Sequence, residues 1–231
     1  MNIHSIFDVL RPYFQRRRQQ VFHRLIHLSE DDKILDVGGD HWFWASMDSK
    51  RRVTFLNVFI PEEDYDKNQF SYVIGDGRNL SYEDKEYDMV FSNSTIEHVG
   101  TFEQQQKFAD EVRRAGKRYW VQTPNRWFFV EPHLVTPLFH YLPQDWQRRL
   151  MRYCTIWGLV TKPSKEQINE FLDSTRLLTR QEMTRLFPDA SLYEEKFLFF
   201  TKSFVAYKTF SDNAVEQKVC DCTNHRRITE K

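Results

Sequence analysis

Five short apolar segments limit the fold more than any other feature of this sequence. They read KILDV, RVTFLNV, SYVIGD, YDMVFSN and KRYWVQT, and a polar residue or a turn signal closes each of them. Their β-branched and aromatic residues predict strands. A helical pattern follows the fourth segment, where Phe102, Phe108 and Val112 share one side and Gly116 suits the end of the helix. Strands that alternate with helices predict an α/β fold, with a mostly parallel sheet and helices on both faces.

The same patterns divide the 231 residues into consecutive parts of one domain. A helical segment (1–28) precedes the sheet core (30–123), and an insertion rich in proline and aromatic residues (124–179) follows it. Residues 180–210 predict a last helix and a hairpin of two strands, with Thr201 and Lys202 near the turn. The polar, aperiodic residues 211–231 predict a flexible tail.

Two local patterns predict helices in the second half of the chain. Thr179 and Glu182 form a capping-box pattern at the start of the last helix. Five apolar residues of the insertion step by four and three, and they predict one continuous helix face: Trp146, Leu150, Tyr153, Trp157 and Val160.

Composition excludes several classes of protein. The 33 Lys and Arg residues balance the 33 Asp and Glu residues, so no net field would draw nucleic acid to the molecule. No segment approaches the roughly 20 apolar residues of a membrane span. The first residues lack a signal-peptide pattern, and three cysteines do not predict a disulfide framework. These features predict a soluble cytoplasmic protein.

The residues at the strand ends are the first candidates for a binding site. Open α/β sheets bind ligands beyond the carboxyl ends of their strands. The first predicted strand ends in DVGG, the second at Asn57, and the third in GDGRNL. The fourth ends in SNSTIEHV and the fifth in QTPNRW.

The segments ILDVGG, GDGRNL, EYDMVFSNSTIEHV and VQTPN, in this order and at this spacing, resemble the class I S-adenosylmethionine-dependent methyltransferases. The group that acts on small molecules is the most similar, and the resemblance covers about residues 30 to 125. It implies a Rossmann-like fold whose seven-stranded sheet is mostly parallel and ends in an antiparallel hairpin. It also implies a methyltransferase, with S-adenosylmethionine as methyl donor and S-adenosylhomocysteine as product.

The resemblance assigns roles in donor binding to the residues after the first two predicted strands. The family's first motif opens with an acid and continues with glycines that hold the methionine part and approach the ribose, and these positions are Asp36, Gly38 and Gly39. The family places an acid at the end of the second strand, where it holds both ribose hydroxyls. Asn57 stands there in this sequence, and its amide cannot form two charge-assisted hydrogen bonds.

The second half of the donor site lies after the third and fourth strands. Asp76 matches the acid that accepts a hydrogen bond from the adenine amino group, with Gly77 and Arg78 beside it. Asn93 matches the position whose backbone lies near the amino-acid end of the donor.

The loop after Gly39 departs from the family, because Asp40, His41, Trp42, Phe43 and Trp44 stand where more glycine is usual. We expect both tryptophans to begin a helix and to pack into the core. Contact of a tryptophan face with the sulfonium cation of the donor is the alternative.

Three histidines are candidates for a general base that removes a proton from the acceptor. His98 follows the fourth strand, whereas His133 and His140 lie in the insertion. Glu97 and His98 alone lack a third strong metal ligand, so we predict no metal site. The tail motif CDCTNH also lacks a second ligand pair at zinc-site spacing.

The aromatic residues of the insertion predict an apolar acceptor pocket. They favour a small aromatic or lipophilic acceptor, methylated on oxygen rather than on nitrogen or carbon. The face formed by Arg148, Arg149 and Arg152 could rest on an anionic membrane surface, but we do not favour this interpretation. We predict no nucleic-acid partner, and the sequence leaves the oligomeric state open.

Two other functions are compatible with such a sheet. Asn57 and the altered first loop could belong to a protein that binds S-adenosylmethionine without turnover. A nicotinamide-dependent oxidoreductase is disfavoured, because DVGGDH lacks the G-x-G-x-x-G spacing that places a pyrophosphate on a helix N-terminus.

Overall fold

The computed structural model describes residues 11–47, 51–60, 65–131 and 133–209, with side chains from residue 14 onward. The predicted tail, including the CDCTNH motif, lies outside the described residues, and so do the first residues of the predicted N-terminal helix. Among the described residues, no helix is long and apolar enough to cross a membrane.

The first half of the described chain alternates strands with helices. Its strands are β1 (Ile34–Val37), β2 (Val53–Asn57), β3 (Phe70–Ile74), β4 (Tyr87–Asn93) and β5 (Gly116–Pro124). Its helices are α1 (Arg11–Leu25), α2 (His41–Ala45) and α3 (Phe102–Ala115), with a 3₁₀ turn at Ile96–His98.

The second half contains the insertion and the final hairpin. The insertion comprises a ribbon of β6 (Val130–Glu131) and β7 (Thr136–Pro137), a 3₁₀ turn (Phe139–Tyr141), and the helices α4 (Gln144–Cys154), α5 (Ile156–Thr161) and α6 (Lys165–Ser174). Helix α7 (Arg180–Leu186) then leads to β8 (Ser191–Phe197) and β9 (Phe200–Lys208).

Seven of these strands form one sheet in the order β3-β2-β1-β4-β5-β9-β8. The first five strands pair in parallel, whereas β9 runs antiparallel to both β5 and β8. The predicted fold class is confirmed, including the antiparallel hairpin at the end. The carboxyl ends of β3, β2, β1 and β4 therefore lie next to one another along a single edge of the sheet.

Alternate residues of the central strands enter two different cores, as the two-residue period of a strand requires. Val90 of β4 packs with Phe108 and Val112 of α3. Phe91, the next residue of β4, packs instead with Phe22 of α1 and Trp44 of α2. Helices therefore cover both faces of the sheet.

A buried ion pair joins the segment before β1 to β5. Arg118 of β5 donates from Nη2 to Asp32 Oδ2 at 2.5 Å, and both side chains are almost fully buried. Arg118 also donates from Nη1 to the His27 carbonyl at 2.7 Å. These bonds fix the segment between α1 and β1 against the sheet.

The prediction of one continuous helix through the insertion is wrong, since Thr155 separates α4 from α5. The Thr155 hydroxyl donates to the Met151 carbonyl and accepts from the Gly158 N–H, so it ends one helix and begins the next. Trp146 and Tyr153 of the predicted apolar face are 59% and 69% exposed. A small separate core holds the insertion together: Leu134, Phe139, Met151 and Ile168.

The final hairpin turns at Leu198–Phe199, so the predicted turn near Thr201 and Lys202 is wrong. The pairing of Phe197 with Phe200 leaves two residues for the turn. Neither is a usual turn residue, and Leu198 adopts a φ of 55°. In contrast, the predicted capping box is confirmed, because Thr179 and Glu182 cap α7 reciprocally.

Candidate active site

The loop after β1 turns through two glycines that no larger residue can replace without movement. Gly38 has a φ of 78° and donates its N–H to the Leu56 carbonyl at 2.9 Å. A Cβ at Gly38 would lie 2.3 Å from Thr95 Cγ2, and one at Gly39 would lie 2.3 Å from Asp36 Oδ1. Thr95 and Asp36 therefore occupy the space that a side chain would need, and only glycine lets the loop pack this closely against them.

Asp36 lies beneath this loop and is 1% exposed. The Trp44 indole donates from Nε1 to Asp36 Oδ2 at 2.7 Å, whereas Oδ1 has no hydrogen-bond partner among the described residues. Burial raises the pKa of Asp36 well above its ordinary value, although the Trp44 bond opposes this shift. The carboxylate thus faces the interior of the loop.

The aromatic residues of the loop have different environments. Trp44 is fully buried, as predicted, but the prediction that Trp42 packs into the core is wrong, because Trp42 is 55% exposed. Trp42 is the second residue of α2, and the Asp40 side chain caps this helix by accepting from the Trp42 N–H at 3.0 Å. Capping by Asp40 turns Trp42 outward and Trp44 inward.

Asn57 connects the ends of β1 and β2. Its Nδ2 donates to the Gly39 carbonyl at 2.9 Å, so the amide replaces an acid and also ties the loop down. Exposed apolar side chains surround this point, in the residues that follow β2 and at the end of β3: Val58, Phe59, Ile60 and Ile74.

Asp76 forms an ion pair with Arg78 just beyond β3. Arg78 donates from Nε and Nη2 to the carboxylate, at a shortest distance of 2.6 Å, and both side chains are partly exposed. The Arg78 bonds lower the pKa of Asp76. Gly77, between them, is required by packing, because a Cβ would lie 2.7 Å from both Phe108 and Val37.

At the end of β4 and just after it, two buried polar atoms have no hydrogen-bond partner among the described residues. These atoms are Asn93 Oδ1 and Glu97 Oε1. Glu97 is fully buried, and its other oxygen accepts from the Thr123 hydroxyl at 2.9 Å. Burial raises the pKa of Glu97 to about 7.

The structure brings His98 and His133 into direct contact. The two Nε2 atoms lie 3.0 Å apart, and the rings meet edge to face. His133 Nδ1 lies 2.6 Å from Glu131 Oε1, and Glu131 Oε2 accepts from the Leu134 N–H. On the other side, His98 Nδ1 lies 3.4 Å from the Thr175 hydroxyl. A chain of hydrogen bonds thus runs from Thr175 to a buried carboxylate.

Burial and nearby charges shift the pKa values of the two histidines in opposite directions. Burial, with a smaller contribution from His133, lowers the pKa of His98 to about 4. Burial alone would lower the pKa of His133 as well, but the hydrogen bond and the charge of Glu131 outweigh it and raise the pKa. When the pair takes up an additional proton, the positive charge is therefore favoured on His133.

His140, the third predicted histidine, does not join this chain. Its Nε2 lies 3.0 Å from the Arg126 carbonyl, so this nitrogen carries the proton and donates it. Its Nδ1 is buried without a partner among the described residues, and burial lowers the pKa of His140. His140 forms part of the wall of a cleft.

That cleft lies within the insertion and has a volume of about 790 Å³. Apolar and aromatic groups such as Trp127, Tyr141 and Phe171 line it, together with the cationic Arg126 and Arg176. Glu131 and Thr175, both neighbours of the histidine pair, also line it. The pair therefore lies beside a space large enough for a small organic molecule.

Glu131 and Thr175 are the residues of this site that sequence reasoning missed. Glu131 stands two residues before His133 in VEPH, a spacing that could have indicated a carboxylate oriented toward the ring. Nothing local in the sequence points to Thr175, which reaches His98 from 77 residues away.

Comparisons with known proteins accord with this arrangement of strand ends. Residues 51–118 match the family model described as a methyltransferase domain. Over these 68 of its 231 residues, the chain is similar to a methyltransferase domain. The order of its strands is the one predicted from the resemblance to the S-adenosylmethionine-dependent methyltransferases, and S-adenosylmethionine is the cofactor that this similarity implies.

Solved structures similar to this chain include two described as S-adenosylmethionine-dependent methyltransferases. The one from Methanosarcina mazei is 16% identical, with 83% of this chain and 98% of that chain covered and a TM-score of 0.48. The one from Aquifex aeolicus is 12% identical, with 82% and 87% covered and a TM-score of 0.45. No curated protein matches the chain.

Proposed function

We propose that this methyltransferase transfers a methyl group to a hydroxyl of a small aromatic or lipophilic acceptor held in the cleft of the insertion. The observation that carries the proposal is the hydrogen-bonded chain from Glu131 through His133 to His98, beside that cleft. A methyltransferase requires a proton acceptor only when the atom to be methylated arrives protonated, as a hydroxyl does. The chain of histidines therefore favours oxygen as the methylated atom.

The donor would lie along the ends of β1, β2 and β3. Gly38 and Gly39 form the tight turn of the loop there, and Asn57 and Asp76 offer polar groups for the ribose and the adenine amino group. The exposed apolar side chains after Asn57 suit the faces of an adenine ring. These residues fit S-adenosylmethionine, and Gly77, Arg78 and Asn93 complete the proposed contacts.

Asp36 has an indirect part in this scheme. It is enclosed by Gly39 and Trp44, so it sets the position of the loop instead of reaching the donor itself. The buried indole of Trp44 supports the loop through its hydrogen bond to Asp36.

When bound, S-adenosylmethionine supplies an activated methyl group, so the protein mainly aligns the acceptor and excludes water. In the neutral pair, His133 Nδ1–H donates to Glu131, and His133 Nε2 accepts from His98 Nε2–H. This leaves His98 Nδ1 free to accept a proton from an acceptor hydroxyl that takes the place of the Thr175 hydroxyl. The His98 Nε2 proton then moves to His133, whose raised pKa favours it.

The first test is calorimetric titration of the purified protein with S-adenosylmethionine and S-adenosylhomocysteine. We expect D76A to weaken binding of both at least tenfold, about 1.4 kcal/mol. D84A is the matched control, since Asp84 is an exposed acid outside the proposed donor site, and its affinity should stay near that of the wild type. If D76A binds both ligands as tightly as D84A does, Asp76 does not itself contact the donor.

The second test is methyl transfer to a panel of phenols and lipophilic alcohols. H98A should bind the donor normally and lose most of its turnover. E131Q should shift the pH profile of kcat to lower pH, because the pKa of His133 loses the support of Glu131. Donor binding without transfer to any acceptor would instead favour a binding protein, and an H98A variant that loses donor affinity would make His98 structural.

A further inference from the structure

A second feature of the histidine pair is the carboxylate beside it. Glu97, His98 and His133 each offer one ligand atom, and these three atoms lie within 4.8 Å of one another. Two of the residues follow β4, and the insertion supplies the third. The third strong ligand that the sequence lacked near Glu97 is thus present in the folded chain.

The geometry of the two rings suits a metal ion. Their Nε2 atoms face each other at 3.0 Å. Two ligands of a tetrahedral Zn²⁺, each about 2.0–2.1 Å from the ion, lie roughly 3.3 Å apart. A movement of a few tenths of an ångström would therefore convert the hydrogen-bonded pair into a pair of ligands, with release of the shared proton to solvent.

The surroundings of His133 have the form of a metal site. A ligating histidine usually donates its second ring nitrogen to a carboxylate, which orients the ring and leaves the other nitrogen free for the metal. Glu131 has this place, with its Oε1 at 2.6 Å from His133 Nδ1, and it is 3% exposed. The Leu134 N–H holds its second oxygen.

Glu97 distinguishes a metal site from a simple proton relay. The relay uses Glu131, His133 and His98, and it has no part for a fully buried carboxylate with one oxygen unpartnered among the described residues. A buried charge requires a compensating partner. A cation between Glu97 and the two rings would provide it.

We propose that Glu97, His98 and His133 bind one divalent transition-metal ion, Zn²⁺ by the nature of its donors, with an open position toward the cleft. Two imidazoles and one carboxylate form a donor set typical of catalytic zinc. The use of the ion in catalysis rests on the proposed function. In that case the acceptor oxygen would bind the ion, and it would no longer give its proton to His98 Nδ1. Coordination then lowers the pKa of the acceptor hydroxyl.

The test is calorimetric titration of chelator-treated, full-length protein with ZnCl₂. The C220S/C222S variant serves as the background, so that the soft donors of the tail cannot contribute. We expect one Zn²⁺ per chain, a Kd of about 1 µM or lower, and proton release that depends on the buffer. MgCl₂ should not bind at this site, because Mg²⁺ prefers oxygen ligands.

Variants in the same background locate the ion. H98Q, H133Q and E97Q should each weaken Zn²⁺ binding at least a hundredfold, and E131Q about 10–100-fold. H23Q is the matched control, since His23 is exposed on α1 and outside the ligand set, and it should bind as the parent does. Circular dichroism checks that each variant is folded.

If a variant does not fold, the Zn²⁺ titration of the parent protein still tests the proposal. Zn²⁺ binding that is only millimolar, or that is equal in the parent and in folded H133Q, overturns the metal site. S-adenosylmethionine binding and methyl transfer are measured on the same metal-free protein. Transfer that persists without metal leaves the proposed function intact, whereas absence of donor binding with and without Zn²⁺ rejects the proposed function and not the metal site.

Discussion

Replacing Trp44 by phenylalanine tests whether the indole supports the loop after β1 through its hydrogen bond. Phenylalanine keeps an aromatic ring in the fully buried site but removes the Nε1–H that reaches Asp36 at 2.7 Å. A hydrogen bond to a charged group contributes about 1.5–3 kcal/mol. The lost ring atoms leave a cavity of roughly 40 Å³, which costs about 1 kcal/mol at ~24 cal/mol per Å³.

W44F should therefore lower the free energy of unfolding by about 2.5–4 kcal/mol. For a chain of this size that corresponds to a fall in Tm of about 5–16 °C. Urea unfolding and calorimetry of the wild type, W44F, D36N and the double variant give the measurement. D36N should stabilise W44F, because it removes a buried carboxylate that has lost its donor, and the coupling energy should be about 1.5 kcal/mol or more.

The pH dependence gives an independent check. The folded pKa of Asp36 is raised above its ordinary value, so this group contributes less stability as the pH rises through that folded pKa. The Trp44 bond opposes the shift, and W44F should raise the pKa of Asp36 further. The stability gap between the wild type and W44F should then widen as the pH rises through the folded pKa of Asp36 in the wild type. Additive effects in the cycle, with no change in the gap, would refute the reasoning and make Trp44 a packing residue only.

Three further predictions follow from close contacts. Gly39→Ala places a Cβ 2.3 Å from Asp36 and should weaken S-adenosylmethionine binding at least tenfold by calorimetry, about 1.4 kcal/mol; normal affinity in the folded variant would contradict this. Gly158→Ala places a Cβ 2.1 Å from a backbone carbonyl of α4 and should destabilise the protein by about 1–3 kcal/mol in urea unfolding. Asp32→Asn should cost about 3–5 kcal/mol, because the Arg118 charge, 2% exposed, loses its carboxylate. If Asp32→Asn is as stable as the wild type, the Asp32–Arg118 ion pair does not stabilise the protein.

The sheet could be predicted from the sequence because its signals are local. Each central strand is a short apolar run with a turn signal at its end, and four family motifs fix the strand order. The break between α4 and α5 could not be predicted from apolar spacing, since the Thr155 hydroxyl competes for the backbone groups of the helix. The turn at Leu198–Phe199 escaped prediction for a related reason: strand pairing imposes it on residues that do not favour turns.

Candidate residues of the site could be predicted singly but not as a group. His98 and His133 are separated by 35 positions, and their contact depends on the path of the insertion. That path is held where it begins and ends by a bridge between Asn125 and Leu178, which no local pattern indicates. The role of Glu97 could not be judged from the sequence either, because its burial depends on this packing.

The insertion has a small core of its own, and this separation has a consequence for dynamics. Leu134, Phe139 and Met151 pack with one another and not with the two cores of the sheet. Units stabilised separately can open separately, at a lower free energy than global unfolding. Each local opening of the insertion would carry His133 away from His98 while the strand ends that face the donor stay intact. Mild denaturant should therefore stop turnover before it releases the donor, and amide exchange should be faster in the insertion than in β4.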